Sequence, residues 1–314
     1  MIKIQSEHLE QYAKEHYEAI ENYFSQRKTK YSIKTINGWI ENCFGKDWDF
    51  KKLILAKPKE LEELSKIFKF KCCNDFSFFH GYYNYLNQYK EEKYFNIING
   101  ENRSYNAYQL LENLKVFVCP YCNRNTIYNI GTTKRRTSEL DHYYPQSKYP
   151  FLALSFYNLV PSCKVCNKIK LDNDDKEYIN PYDTRFDMNK NMKFSLEIEN
   201  SRFYHSEKGF NINYKYDEKI SDDEKNRIEN NLDDFELKDL YQNHKDIVLE
   251  LIQKQAIYNE SYLDELLTQY EGTLFKNKED LQRLISGGYV SDDEIGKRPL
   301  SKLVKDISEE LGLR

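Results

Sequence analysis

Between residues 6 and 26, apolar side chains recur at helical spacing: Leu9, Tyr12, Ala13, Ile20, Tyr23 and Phe24 share one face of a 3.6-residue repeat. The same period predicts helices over about 33–43, 58–69, 75–90 and 105–114, so the first third of the chain reads as a helical bundle. At "KVFV", residues 115–118, the pattern shortens to a strand that leads into a cysteine pair. An acidic, loop-like passage, "LDNDDKEYINPYDTRFDMN", lies beyond a second cysteine pair. Three alternating segments follow, "KFSLEIEN", "RFYHSE" and "FNINYKY", and their separation by Asn, Gly and Ser predicts a small antiparallel meander. Ser221 has the character of a helix N-cap; helical patterning runs from there to about Tyr270 and returns over 278–286 and 300–311. The expected class is α+β and mainly helical. It divides into an N-terminal helical region (1–115), a cysteine-bearing centre (116–190) and a meander followed by helices (191–314).

Composition narrows the class of protein. The chain has 314 residues, of which 39% are hydrophobic, enough for a sizeable core, and the 15% that are aromatic argue against disorder despite 31% charged residues and a mean hydropathy of −0.85. The N-terminus lacks the continuous apolar stretch of a signal peptide, and the longest apolar run, "YPFLALSFYNLVP", is too short to span a bilayer. A soluble, cytoplasmic protein with no membrane partner is expected. In a reducing compartment, seven cysteines point to metal or buried thiols ahead of disulfides.

The net charge of −4 conceals a local asymmetry. Between Cys119 and Lys170 there are eight basic residues and two acidic ones, +6, which leaves −10 for the remainder. A local phosphate-binding surface on an acidic body would produce this balance, as would a solvated loop, since "TTKRRT" has the look of a hairpin turn.

The chemistry-bearing residues lie in the same stretch. Cys119, Cys122, Cys163 and Cys166 form two Cys-x-x-Cys knuckles that can present four thiolates to one tetrahedral Zn²⁺, a closed and therefore structural site. Cys43, Cys72 and Cys73 lack such partners and read as core or surface thiols. Between the knuckles stand Asp141 and His142: a histidine can take a proton from water, and an adjacent carboxylate can hold a hard divalent cation. Asn167 can offer a second oxygen ligand from the start of a short helix, and Lys168 and Lys170 follow it.

In "CPYC", "LDHYYPQS", "NLVPSCKVCN" and the trailing lysines, the sequence resembles the zinc-stapled form of the HNH endonucleases, also called ββα-metal or His-Me finger nucleases. The resemblance covers residues 117–170, about one sixth of the chain. It implies a ββα-metal core and metal-dependent hydrolysis of phosphodiester bonds. His142 matches the general base, Asp141 a ligand of the catalytic Mg²⁺ or Mn²⁺, Asn158 the central asparagine that ties the loop and aims the histidine, and Asn167 the third motif position, which completes the cation's coordination. Asparagine replaces the more familiar histidine there and suits Mg²⁺. Arg135, Arg136, Lys148, Lys164, Lys168 and Lys170 would contact the nucleic-acid backbone without reading sequence. The arrangement of the whole chain is also similar to the nuclease subunits of Septu-type bacterial anti-phage systems, which accompany an ATPase. Two alternatives remain at this point: a noncatalytic zinc-stapled module that binds DNA or RNA, and a ribonuclease or toxin using the same chemistry.

Overall fold

The computed structural model describes residues 1–26, 32–71, 96–98, 102–173 and 175–313. The helical pattern at 75–90, Cys72 and Cys73 lie outside the described residues.

The N-terminal region is helical where its apolar period is clearest. Helix α1 (Leu9–Gln26) buries Ala13, Tyr17, Ile20, Tyr23 and Phe24 along one stripe. Ser32 caps α2 (Ile33–Phe44), its Oγ accepting the Thr35 N–H at 3.2 Å, and Asp49 caps α3 (Phe50–Leu55) by accepting from Lys52 N–H at 2.8 Å. Helix α4 (Pro58–Lys71) begins on proline, which has no N–H to leave unbonded at a first turn. After the short antiparallel pair β1 (Asn96–Ile98) and β2 (Asn102–Ser104), α5 (Ala107–Leu114) completes the region and turns its apolar side inward.

"KVFV" makes no strand of its own; Val118 forms a single bridge to Thr126. The centre contains a small hairpin, β3 (Asn129–Ile130) with β4 (Arg135–Arg136), and then a strand–strand–helix unit. In that unit β5 (Glu139–His142) pairs antiparallel with β6 (Leu159–Ser162), Asp141 opposite Val160 and His142 opposite Leu159, and α6 (Lys164–Lys170) follows directly. The intervening loop is far from polar: Tyr149, Phe151, Leu152, Ala153 and Leu154 are all buried.

Beyond α7 (Met188–Asn191), β7 (Met192–Ile198) and β8 (Phe210–Tyr216) form a two-stranded antiparallel ribbon rather than the expected meander. The middle segment, "RFYHSE", turns at Ser201–Tyr204 as a 3-10 helix because the Asn200 side chain accepts the Arg202 N–H at 3.1 Å and closes the backbone locally. Ser221 caps α8 (Asp222–Asp234), and α9 (Leu237–Gln242), α10 (Lys245–Ile257), α11 (Glu260–Tyr270), α12 (Lys278–Ser286) and α13 (Ser301–Glu310) complete the chain.

One cluster of buried side chains runs from Met1 to Leu313, and a satellite of Leu263, Phe275, Leu281 and Ile285 sits between α11 and α12. Helix α13 packs against β7 through Asp306, which accepts from the Phe194 N–H at 3.0 Å and from Lys302 Nζ at 2.8 Å. Among the described residues no helix is long and apolar enough to cross a membrane.

Candidate functional site

Two tight turns build the cysteine cluster. At the first, Asn123 N–H donates to Cys119 O at 2.8 Å, and Asn123 itself adopts a left-handed φ of 49°, which asparagine tolerates better than most side chains. At the second, Cys163 is the N-cap of α6, its Sγ accepting the Cys166 N–H at 3.4 Å. The Cys163 sulfur also accepts from Asn125 Nδ2 at 3.2 Å, and the Cys122 sulfur accepts from Arg124 N–H at 3.4 Å. Such donors stabilise thiolates.

All four Sγ atoms lie within 4.8 Å of one another and all four cysteines are buried. A tetrahedral zinc with Zn–S near 2.3 Å has S···S edges of about 3.8 Å, so the set can hold one ion with at most a slight contraction. Burial pushes the Cys119 thiol up. The donor set therefore fits zinc, and with four protein ligands it leaves no open position. Cys43, separate from this cluster, is a buried core thiol.

The edges of β5 and α6 frame a cleft of about 460 Å³ whose lining includes Asp141, His142, Pro145, Gln146, Asn167 and Asp172. A larger cleft of about 700 Å³, between the N-terminal segment and residues 292–297, contains none of these residues. His142 Nε2 stands 3.1 Å from the carbonyl of Ala153, which can only accept. The neutral ring therefore carries its proton on Nε2 and its lone pair on Nδ1. Burial lowers the His142 pKa to about 4, against the raising effects of the Asp141 charge and the Ala153 bond, so the ring is neutral at pH 7.

Asn158 closes the loop behind His142. Fully buried, its Oδ1 accepts the Tyr144 N–H at 2.7 Å, while Nδ2 donates to the carbonyls of Leu152 at 2.9 Å and Tyr144 at 3.2 Å. Its own backbone carbonyl takes the Tyr143 N–H at 2.9 Å. Only an amide offers this combination of donor and acceptor.

Asp141 is nearly buried, and its carboxylate is engaged: Tyr121 Oη donates to Oδ2 at 2.6 Å, and Lys170 Nζ approaches Oδ2 at 3.1 Å and Oδ1 at 3.2 Å. The same ammonium donates to the His142 carbonyl at 2.7 Å. Lys170, expected on a phosphate-facing surface, is thus an interior residue with a side chain 1% exposed. The reason is geometric: seven residues after the Cys163 cap, in the last turn of α6, Lys170 faces β5, and a buried ammonium is tolerated there because a carboxylate and a carbonyl meet it.

The other basic candidates remain at the surface. Arg135, Lys148, Lys164 and Lys168 are exposed, and Arg136 is partly covered. Three contributors escape a reading of spacing alone. Tyr121 looks like a knuckle spacer, Asp172 like part of an acidic loop, and the Ala153 carbonyl has no side-chain signature. Comparison of the chain with protein-family models, with curated proteins and with solved structures finds no match.

Proposed function

We propose that the chain is a metal-dependent HNH endonuclease that hydrolyses DNA phosphodiester bonds, with a ββα-metal core formed by β5, β6 and α6. The observation that carries this reading is the meeting of Asp141, a neutral His142 and Asn167 on one cleft, braced by Asn158 and by the cysteine cluster. The oxygens of Asp141 and Asn167 suit Mg²⁺ or Mn²⁺, and Asp172 adds a second carboxylate to the same cleft. A carboxylate has about four lone-pair directions, so Asp141 keeps coordinating capacity beside Tyr121 and Lys170. When bound, such a cation supplies charge stabilisation to the phosphate oxygens.

The chain's own residues do the remainder. His142 takes a proton from water at Nδ1, with the Ala153 carbonyl fixing the tautomer. Lys170 holds both the Asp141 carboxylate and the His142 backbone, which keeps the pair in register across the cleft. Arg135, Lys148, Lys164 and Lys168 supply positive charge for backbone contacts. The resemblance to Septu-type nucleases adds a cytoplasmic, anti-phage role beside an ATPase partner.

The Asp141–Lys170 pair also favours a second reading, a zinc-stapled nucleic-acid-binding module without catalysis, since a paired carboxylate has less charge to offer a cation. Incubation with plasmid, single-stranded DNA or structured RNA and Mg²⁺ or Mn²⁺ separates the two. The nuclease reading expects cleavage that falls about 10²- to 10⁴-fold in His142→Ala, with about one zinc per chain retained in both proteins by elemental analysis. Binding without cleavage of any substrate, with either cation and with zinc in place, favours the module; cleavage of RNA alone makes the chain a ribonuclease.

A further inference from the structure

Outside the cleft, the hairpin of β3 and β4 presents an unusual outer face. Tyr128 and Ile130, two residues apart, point to the same side, and the residues opposite them share it. Arg135 is the register partner of Ile130, and Thr137 is bonded to Tyr128, its N–H donating to Tyr128 O at 2.9 Å. The other side of the hairpin meets the body of the protein: Asn129, paired with Arg136, donates through Nδ2 to the Tyr108 carbonyl on α5 at 3.3 Å.

The outer face is apolar, aromatic and basic at once. Tyr128 is 46% exposed, Ile130 42% and Phe117 41%. Phe117 belongs to the same surface, since its carbonyl accepts the Ile127 N–H at 2.9 Å and its ring centroid lies 6.5 Å from that of Tyr128, tilted by 49°. Residues 119–138 contain four basic side chains and no acidic one. Lys134, in a left-handed conformation with φ 49°, sits at the turn beside Arg135.

We propose that this face is a stacking platform for unpaired nucleic-acid bases, so that the nucleic acid reaches the cleft as a single strand or a locally opened duplex. The inference rests on the reading that the chain acts on nucleic acid. Half-exposed rings beside cations are the combination that binds single strands, because every base has a π-face and every nucleotide a phosphate. A contact to an intact duplex backbone would use the cations and leave the rings idle, and an acidic protein surface would do the same. Reach is adequate: seven residue steps separate Arg135 from His142, at most about 24 Å of extended chain, or about seven nucleotides of stacked strand.

Fluorescence anisotropy in the His142→Ala background, where cleavage is slowed, and without added divalent cation, tests the platform with a short labelled single-stranded DNA and the matching duplex. Tyr128→Ala should weaken single-strand binding about tenfold, about 1.4 kcal/mol, and Tyr128→Phe should restore it. Duplex binding should change less than about twofold, and Arg135→Ala should lower the salt dependence by about one phosphate contact. Unchanged single-strand affinity in both Tyr128→Ala and Phe117→Ala overturns the platform, as does capture of polyglutamate rather than DNA through the same residues. The two readings fail separately. Plasmid cleavage with ring-independent binding removes the platform and keeps the nuclease, and ring-dependent binding without cleavage by the wild type does the reverse.

Discussion

Lys170 carries its charge into the interior to meet Asp141, and the consequence is measurable. Lys170→Met keeps the length of the side chain but leaves a buried carboxylate with Tyr121 as its only donor among the described residues, which should cost about 3–5 kcal/mol, read as a lower denaturant midpoint. The double variant Lys170→Met with Asp141→Asn removes both charges and should recover most of that loss. A single-variant cost below about 1 kcal/mol would mean that the pair is not formed in solution. At this scale the legible residues are those whose chemistry is tied to spacing: two Cys-x-x-Cys pairs announce a cluster because two residues between thiols suit one tight turn. Nothing local announces Lys170 as an interior residue. Its helix is short, its neighbours Lys164 and Lys168 are exposed, and the carboxylate that admits it lies 29 residues earlier in the chain.

At the scale of elements, α6 depends on the cysteine cluster more than on its own sequence. Seven residues are too few for a helix to persist alone in water, and its N-cap is Cys163, one of the four sulfurs. Removing zinc with a chelator should therefore release α6 from β5 and with it Asn167 and Lys170. The expected loss is about 5 kcal/mol, or about 10 °C in Tm for a chain of this size, reversible on adding Zn²⁺. Superimposable melting curves with and without chelator, together with no zinc by elemental analysis, would show that the cluster is not a metal site. Among elements, the long periodic helices were readable: 33–43 became Ile33–Phe44, and 278–286 is Lys278–Ser286. The β-structure was less so. The hairpin turn at "TTKRRT" was readable, but its two-residue strands leave no period to detect, and "RFYHSE" alternates like a strand although the Asn200 side chain turns it first.

The whole molecule is joined through contacts that no local pattern specifies. Asn123, at the first knuckle, donates through Nδ2 to Ile295 O at 3.0 Å and accepts the Lys302 N–H at 3.0 Å, so the cysteine cluster also anchors the start of α13. Elsewhere, two adjacent carbonyls of the loop behind His142 are each taken by a histidine. Ala153 O is 3.1 Å from His142 Nε2, and Leu154 O is 2.8 Å from Nε2 of His16, which comes from α1 and also meets Tyr105 Oη at 3.0 Å through Nδ1. Both rings hold their pKa near 4, chiefly because burial disfavours the charged form.

An unfolded histidine titrates near 6.5, so below that pH the unfolded chain takes up protons that the native chain refuses. The stability contributed by each ring is complete above about pH 6.5 and is lost as pH falls towards 4, by at most about 3 kcal/mol per ring. His244 adds in the same direction, since burial and the Arg124 charge lower its pKa as well. Denaturant midpoints between pH 7.5 and 5 should thus fall steadily in the wild type. His16→Gln keeps a donor and an acceptor but cannot titrate, and it should reduce the slope by about one proton near pH 5–5.5. An unchanged slope would mean that His16 is not held neutral between α1 and the loop, and would break the link between the N-terminal bundle and the cleft.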